Sequence, residues 1–184
     1  MKKTILSALA FAAFGMANAQ SEEIVFGVKA GFSHSTLSGD SYYNNNGVIY
    51  NDKYDGRFGG YIGALADIPL SGNFHVQPEV QFSSEGAENA GLVYFRIPVM
   101  AKYYLMDNFA VEAGPLLGLR LAGEDDFDER TKAADFGLSG GATYEFPMGV
   151  FVEARFNAGI ANISDDSGRD LRTASFQVGA GYRF

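Results

Sequence analysis

The sequence has no cysteine, and it contains only two histidines in 184 residues. A chain without cysteine cannot be a disulfide-stabilised scaffold. Positive charge is also scarce, since 14 Lys and Arg face 22 Asp and Glu for a formal charge of −8. So acidic a chain is a poor nucleic-acid binder. After residue 19 there is no apolar run of the roughly 20 residues that a transmembrane helix needs. We therefore expect any membrane crossing to be made by strands.

The first 19 residues have the layout of a secretory signal peptide. Lys2 and Lys3 form a basic start, Ile5–Gly15 is apolar, and Ala17–Ala19 is a small-residue cleavage site. The apolar run is too short to span a bilayer. We expect residues 1–19 to be cleaved rather than retained as an N-terminal helix, which leaves residues 20–184 as one domain of an exported protein.

The C-terminal stretch Ala174–Phe184 shows the pattern that recurs along the chain. Its even positions are apolar, whereas its odd positions are small or polar. A period of two predicts a strand with one apolar and one polar face. In a soluble protein such a strand would close the edge of a sandwich, and in an outer-membrane barrel it would be the closing strand.

Seven further segments alternate in the same way, which gives eight predicted strands in all: 23–33, 57–68, 74–83, 92–104, 109–121, 136–146, 150–161 and 174–184. The connections between them alternate long and short, and the long ones are polar: 34–56, 84–91, 122–134 and 162–173. Outer-membrane barrels have an even strand number, short periplasmic turns and long outer loops. The sequence therefore predicts an all-β fold, an eight-stranded antiparallel up-and-down transmembrane β-barrel.

Aromatic residues support the membrane interpretation. They lie near opposite ends of single strands on the apolar face, in the pairs Phe26 and Phe32, Phe74 and Phe82, Phe95 and Tyr103, Phe136 and Tyr144, and Phe176 and Tyr182. Two aromatic belts at the two membrane interfaces produce this spacing. A water-soluble barrel would instead cluster its bulky apolar residues inside, at the middle of the strands.

Several short motifs carry a family resemblance: Gly27–Phe32, Ile97–Pro98, Lys102–Tyr104, Gly114–Pro115 and Gly179–Phe184. Together they resemble the small outer-membrane β-barrel domains often labelled "porin family", and the architecture is similar to the OmpX and OmpA barrels. The resemblance implies an outer-membrane location, contact with outer-membrane lipid and insertion by the barrel-assembly machinery. The closing strand would carry the assembly signal through Phe176, Tyr182 and Phe184. The motifs are specific for the fold and say little about activity.

If the apolar faces meet lipid, the polar faces fill the lumen. The charged residues assigned to the lumen are Lys29, Arg57, Asp67, Glu79, Arg96, Lys102, Glu112, Arg120, Glu145, Glu153, Arg155 and Arg183. Buried charges persist only when paired, so we predict an ion-pair network with Glu79 beside Arg96. The alternative is a charged path for solutes, although eight strands leave room for little besides side chains.

Catalytic and metal-binding residues are not predicted. His34 lies between Ser33 and Ser35, but adjacent strand residues point to opposite faces and cannot form a Ser–His pair readily. His75 is expected to contact an acid in the lumen. The acidic run around Asp126 lacks the glycine and distal glutamate of a calcium loop. No cofactor is expected.

Three functions stay open. The first is a monomeric barrel with a plugged lumen that acts structurally or through its outer loops, where tyrosines such as Tyr42 and Tyr50 could bind an extracellular ligand or simply fold over the rim. The second is a narrow porin for small solutes. The third is a barrel lipid hydrolase that depends on His34.

Overall fold

The computed structural model describes residues 23–43, 48–53, 56–87, 90–123, 134–160 and 169–184. Within these ranges the chain forms nine strands: β1 (Val25–Tyr43), β2 (Val48–Lys53), β3 (Arg57–Ser71), β4 (Phe74–Ala87), β5 (Ala90–Met106), β6 (Phe109–Gly123), β7 (Ala134–Glu145), β8 (Val150–Gly159) and β9 (Arg169–Arg183). The same ranges contain no helix long and apolar enough to cross a membrane. The predicted signal peptide lies outside the described residues.

The strands close into a barrel. From β3 onward each strand pairs antiparallel with the next, β1 pairs with β3, and β9 returns to pair with β1. The short strand β2 lies on the same edge of β1 as β3, because Ser38 is opposite Lys53 and Ser35 is opposite Arg57. β2 and β3 therefore occupy one position in the wall. The predicted eight-stranded antiparallel barrel is confirmed.

The strands extend further than predicted at one end. Residues 34–56 were expected to form a loop, yet β1 continues to Tyr43 and β2 runs antiparallel to it. Likewise, most of 84–91 belongs to the β4–β5 hairpin. The backbone ladder continues here although the apolar alternation has stopped, since strand pairing needs backbone hydrogen bonds and not an apolar face. The acidic segment 124–133 lies outside the described residues.

The two ends of the barrel differ in their connections. The turn end carries the short connections Gly72–Asn73, Asp107–Asn108 and Phe146–Gly149. In the last of these, Met148 and Gly149 both have positive φ, of 84° and 82°, which closes the hairpin tightly. The loop end is the opposite end, where β1 and β9 extend to Tyr43 and Arg169.

Side chains divide into an apolar outer face and a polar interior. Val80 and Val99 are 44% and 39% exposed on the outside, whereas Gln77 is 1% exposed inside. The outer aromatics form two belts, and cross-strand pairing places aromatic residues of neighbouring strands side by side in each. Phe74 is opposite Tyr103 at the turn end, and Phe156 is opposite Phe176 toward the loop end.

One outward side chain is buried. Ile68 was assigned to the outer face, and it pairs with Val76 on the regular β3–β4 ladder, yet it is only 6% exposed. The register between β3 and β4 shifts only beyond it, between Pro69 and Ser71. Alternation predicts the face that a side chain occupies and not how far its neighbours cover it.

Candidate functional site in the barrel lumen

Five charged side chains meet in the middle of the lumen, and we call them the central layer: Lys29, Glu79, Glu112, Glu153 and Arg155. Arg155 Nη1 lies 2.7 Å from Glu79 Oε2, and Arg155 Nη2 lies 2.5 Å from Glu112 Oε1. Lys29 Nζ lies 2.8 Å from Glu79 Oε2 and 2.9 Å from Glu153 Oε1. These side chains are all 0–1% exposed, so the charges are paired in a site without bulk water.

The central layer is supplied by four strands, β1, β4, β6 and β8, which alternate around the wall. β4 and β8 are four positions apart in a ring of eight, so the contact between Arg155 and Glu79 crosses the full width of the lumen. Inward side chains of a small barrel stack in layers drawn from alternate strands. The arrangement follows from that geometry and closes the cross-section at this depth.

Neutral side chains hold the central carboxylates in place. The Tyr61 hydroxyl donates a hydrogen bond to Glu153 Oε1 at 2.8 Å, and Gln77 Nε2 donates to Glu79 Oε1 at 2.7 Å. Glu112 differs, because its Oε2 is buried without a hydrogen-bond partner among the described residues. With two cations and three carboxylates, the layer holds one more negative charge than positive.

Glycines on the inner face of β9 make room for large side chains. A Cβ built on Gly179 would collide with the Tyr61 hydroxyl, and one on Gly181 would collide with the Phe151 ring. Both aromatic side chains are at most 5% exposed. The two glycines thus allow bulky groups to fill the lumen beside the charged layer.

A second group of charges lies nearer the turn end, and we call it the turn-end ring: Asp67, Lys102, Glu145 and Arg183. Lys102 Nζ lies 3.2 Å from Asp67 Oδ2 and 2.9 Å from Glu145 Oε1. Arg183 Nη1 lies 3.3 Å from Asp67 Oδ2 and forms a short contact with Glu145. The four residues come from β3, β5, β7 and β9, the strands that the central layer leaves out, and their charges alternate in sign around the ring.

Tyr104 and His75 complete this ring. The Tyr104 hydroxyl accepts a hydrogen bond from Lys102 Nζ at 2.8 Å and donates one to Glu145 at 2.6 Å. His75 Nδ1 lies 2.6 Å from Asp67 Oδ1. The side chains of Glu145 and His75 are 24% and 18% exposed, because a cavity of about 470 Å³ that they line opens at the turn end.

Toward the loop end, the lumen side chains that the structure describes are polar and include the charged residues Arg96 and Asp135. Arg96 Nη2 lies 3.7 Å from Asp135 Oδ2, which also accepts a hydrogen bond from Thr173 Oγ1 at 2.8 Å. Sequence reasoning missed Asp135, since the predicted strand began one residue later. The alternation extended back from Ser139 would have included it.

The predicted contact between Glu79 and Arg96 is wrong. The β4–β5 register places Gln81 opposite Arg96, so Glu79 is two residues nearer the turn end and contacts Lys29 and Arg155 instead.

Arg57 and Arg120, which were also assigned to the lumen, are half-buried near the loop end. Both make polar or electrostatic interactions.

The residues considered for catalysis are separated by the barrel wall. Ser33 and Ser35 point inward, and their hydroxyls donate to the backbone oxygens of Ser84 and Arg57. His34 points outward, with its ring 4.7 Å from that of Phe58. The part of the chain that the structure describes contains no group of three or more His, Cys, Asp or Glu able to hold a metal ion.

The residues of the predicted assembly signal all face outward on β9. Phe176, Tyr182 and Phe184 are 49%, 48% and 72% exposed. The backbone N–H of Phe184 donates to the oxygen of Phe26 at 2.9 Å, which joins the end of the chain to β1.

Three solved structures share this fold at low sequence identity. Ail, the attachment invasion locus protein of Yersinia pestis, aligns with a TM-score of 0.51 at 14% identity over 89% of this chain and 100% of its own. Neisserial surface protein A (NspA) gives 0.57 at 14% over 89% and 100%, and the outer membrane protein OprG from Pseudomonas aeruginosa gives 0.52 at 13% over 87% and 95%.

No curated protein matches the sequence. The family model described as "Outer membrane protein beta-barrel domain" matches residues 18–165. The chain therefore belongs to the outer membrane protein beta-barrel domain family, and it is an outer-membrane protein.

Proposed function

We propose that the protein is a plugged, non-enzymatic outer-membrane barrel that acts structurally or through the connections at its loop end. The observation that carries the proposal is the Arg155–Glu79 contact, which joins opposite walls at 2.7 Å with both side chains at most 1% exposed. A conducting pore needs a continuous path of water, and ion pairs across its full width interrupt such a path. The turn-end ring adds a second layer of paired charge below it.

Conductance in planar bilayers tests the plug. The wild-type protein should give no stable channels, whereas the double variant Glu79→Ala with Arg155→Ala removes the bridge across the lumen and should conduct. The matched control is Val80→Ala with Val99→Ala on the outer face, where both side chains are exposed. Folding of every variant is checked by circular dichroism and by gel mobility with and without heating.

Stable conductance of the wild-type protein, unchanged in the double variant, would favour the narrow porin instead. Should that double variant fail to fold, Glu79→Gln with Arg155→Ala serves, since it also removes the guanidinium that spans the lumen. If neither the wild-type protein nor a correctly folded variant conducts, the lumen is closed at another level. That result would contradict the role given to Arg155.

A ligand outside the cell is part of the proposal. Outer-membrane barrels turn their longer connections to the exterior, so the loop end, where β1 and β9 extend to Tyr43 and Arg169, is the side proposed to face outward. A binding screen with the refolded protein, repeated with 124–133 replaced by a Gly-Ser segment of equal length, tests this part. Binding that survives replacement of each connection in turn would refute it.

The hydrolase alternative depends on His34, which lies on the outer face while both neighbouring serines point into the lumen. A Ser–His pair needs the two side chains within hydrogen-bond reach. We therefore expect no lipid turnover by purified barrel in phospholipid vesicles. Lipid turnover by the wild-type protein that is abolished in His34→Gln would overturn this expectation.

Assembly is proposed to depend on the outward aromatics of β9. Phe184 is 72% exposed on the closing strand, and its backbone joins β1. Replacing Phe184 with Asp should leave the protein degraded in the periplasm, while Phe184→Tyr should assemble. Normal outer-membrane amounts of the Asp variant, measured by fractionation, would exclude the signal.

A further inference from the structure

One cationic position interrupts the apolar outer face. Among the strand residues whose exposure the structure describes, Arg172 is the one exposed Lys, Arg, Asp or Glu, and His34 is the one exposed histidine. Their outward neighbours include Phe32, Phe176 and Val178, which are 80%, 49% and 49% exposed. The two nitrogen-bearing side chains therefore stand out on a surface that otherwise faces lipid.

Both residues belong to the same seam of the wall. β1 and β9 pair directly, with His34 opposite Phe176 and Ser38 opposite Arg172. Outward positions repeat every second residue, so Arg172 is two outward steps beyond Phe176 on the loop-end side. At about 3.4 Å per residue, the levels of His34 and Arg172 are about 14 Å apart along the strand. The long Arg172 side chain and the His34 imidazole can therefore approach one bound group from its two sides.

Depth in the membrane follows from strand geometry. Strands tilted by about 40° advance about 2.6 Å per residue along the barrel axis, so the apolar band of about 25 Å takes about ten residues. If Phe184 marks the turn-end edge of the band, about ten residues back along β9 put the other edge near Ala174. Arg172 lies two residues further toward the loop end. His34, level with Phe176 in the loop-end aromatic belt and packed against Phe58, lies just inside that edge. Arg172 is therefore at the level of the lipid headgroups.

We propose that the β1–β9 seam binds the phosphate-bearing headgroup of a lipid in the outer leaflet. Arg172 binds the phosphate through its planar guanidinium, which forms paired hydrogen bonds to phosphate oxygens. His34 donates a ring N–H to the same headgroup from below. The acyl chain lies along the outward side chains of Phe32 and Val178, which continue the lipid-facing surface of the barrel. Anionic and zwitterionic phospholipids both carry this phosphate, but only the anionic ones have a net negative charge, so the Arg172 cation favours them.

Native mass spectrometry tests the lipid preference. Wild-type protein is folded in detergent, mixed with equal amounts of phosphatidylglycerol and phosphatidylcholine, and the retained lipids are counted. One cation near a membrane surface corresponds to a preference of about fivefold, so the wild type should retain phosphatidylglycerol about fivefold over phosphatidylcholine. Arg172→Gln should abolish the preference, Arg172→Lys should keep part of it, and His34→Gln should reduce it.

The control separates a built site from charge alone. Ala134 is exposed on β7, one outward position beyond Phe136 toward the loop end. Adding Ala134→Arg to Arg172→Gln restores the net charge on a different part of the wall. The proposal requires that this variant stay without preference. Recovery of the wild-type ratio, or an unchanged ratio in Arg172→Gln alone, would overturn it. Phosphate ions at equal concentration should not displace the lipid, which distinguishes a lipid site from one for free phosphate.

Discussion

The central layer and the turn-end ring are built from the same kinds of charged side chain, yet they differ in their contact with water. Each draws on four alternate strands and neutralises carboxylates with lysine and arginine. In the central layer every charged side chain is at most 1% exposed, whereas Glu145 in the ring is 24% exposed beside an open cavity. Ion pairs that look alike in contact distance therefore differ in how much their loss should cost.

Charge balance separates the two groups as well. The turn-end ring has two cations and two carboxylates in alternation, and each cation contacts both acids. The central layer has three carboxylates and only two cations, and Arg155 contacts all three. Arg155 is thus the one cation that contacts every carboxylate of the central layer, with Lys29 contacting Glu79 and Glu153, while in the ring the two cations share both acids equally.

The largest effect is expected from Arg155→Gln. It leaves three buried carboxylates with Lys29 as their one remaining cation in the layer, and breaking a buried pair by removing one partner costs about 3–5 kcal/mol. Urea unfolding in phosphatidylcholine vesicles, followed by far-ultraviolet circular dichroism, measures the loss. Arg172→Gln at the outer rim is the control and should change the free energy of unfolding by less than about 1 kcal/mol. A loss from Arg155→Gln of about 1 kcal/mol or less would mean that water reaches the central layer.

The second largest loss of unfolding free energy is expected from Val80→Arg, which gives a reference value for a charge placed in lipid. Val80 is next to Glu79 in sequence but faces lipid, where Arg near the midplane costs about 2–4 kcal/mol. The same vesicle assay applies, with Val80→Thr as the small polar control. If Arg155→Gln costs far less than Val80→Arg, the lumen solvates charge much better than lipid does. Comparable losses would indicate a dry lumen, as the exposures predict.

The carboxylates of the central layer should not be equivalent. Glu79 contacts both Lys29 and Arg155 and accepts a hydrogen bond from Gln77, whereas Glu112 contacts Arg155 through one oxygen only. Glu79→Gln should therefore cost about 1–3 kcal/mol. Glu112→Gln removes the surplus negative charge and should cost about 1 kcal/mol or less.

A double variant tests the different roles of the two carboxylates Glu79 and Glu112. Adding Glu112→Gln to Arg155→Gln relieves one of the three stranded carboxylates, so it should recover part of the stability that the arginine variant loses. Strict additivity of the two changes would show that Glu112 and Arg155 are not coupled. A larger loss from Glu112→Gln than from Glu79→Gln would reverse the assignment of the surplus charge.

Local pattern predicts much of the fold, because a period of two decides which side of the wall each side chain occupies. Lys29 and Glu153 were assigned inward on that basis and are both buried, and Val80 and Val99 were assigned outward and are exposed. The prediction of exposure fails at Ile68, which pairs with Val76 on the regular ladder but is buried. Local pattern also fails at the loop end, where strands continue without an apolar face.

Contacts across the lumen are beyond local pattern. The hairpin between β4 and β5 suggested Arg96 as the partner of Glu79, but the observed partner Arg155 is 76 residues away in sequence. Which inward residues meet depends on the tilt and stagger of all eight wall positions together. No single hairpin encodes that geometry, so the sequence alone indicates which charges enter the lumen and not how they pair.

The smallest effect is expected from Glu145→Gln in the turn-end ring. The side chain is 24% exposed, and the amide can still accept hydrogen bonds from Lys102 and Tyr104, so the loss should be about 1 kcal/mol or less. Salt sharpens the contrast, because the screening length falls from about 8 Å at 0.15 M to about 3 Å at 1 M. The difference between wild type and Glu145→Gln should shrink in 1 M salt, while the difference caused by Arg155→Gln should not. Equal salt sensitivity of the two differences would show that the central layer and the turn-end ring are hydrated alike, and the contrast between them would be lost.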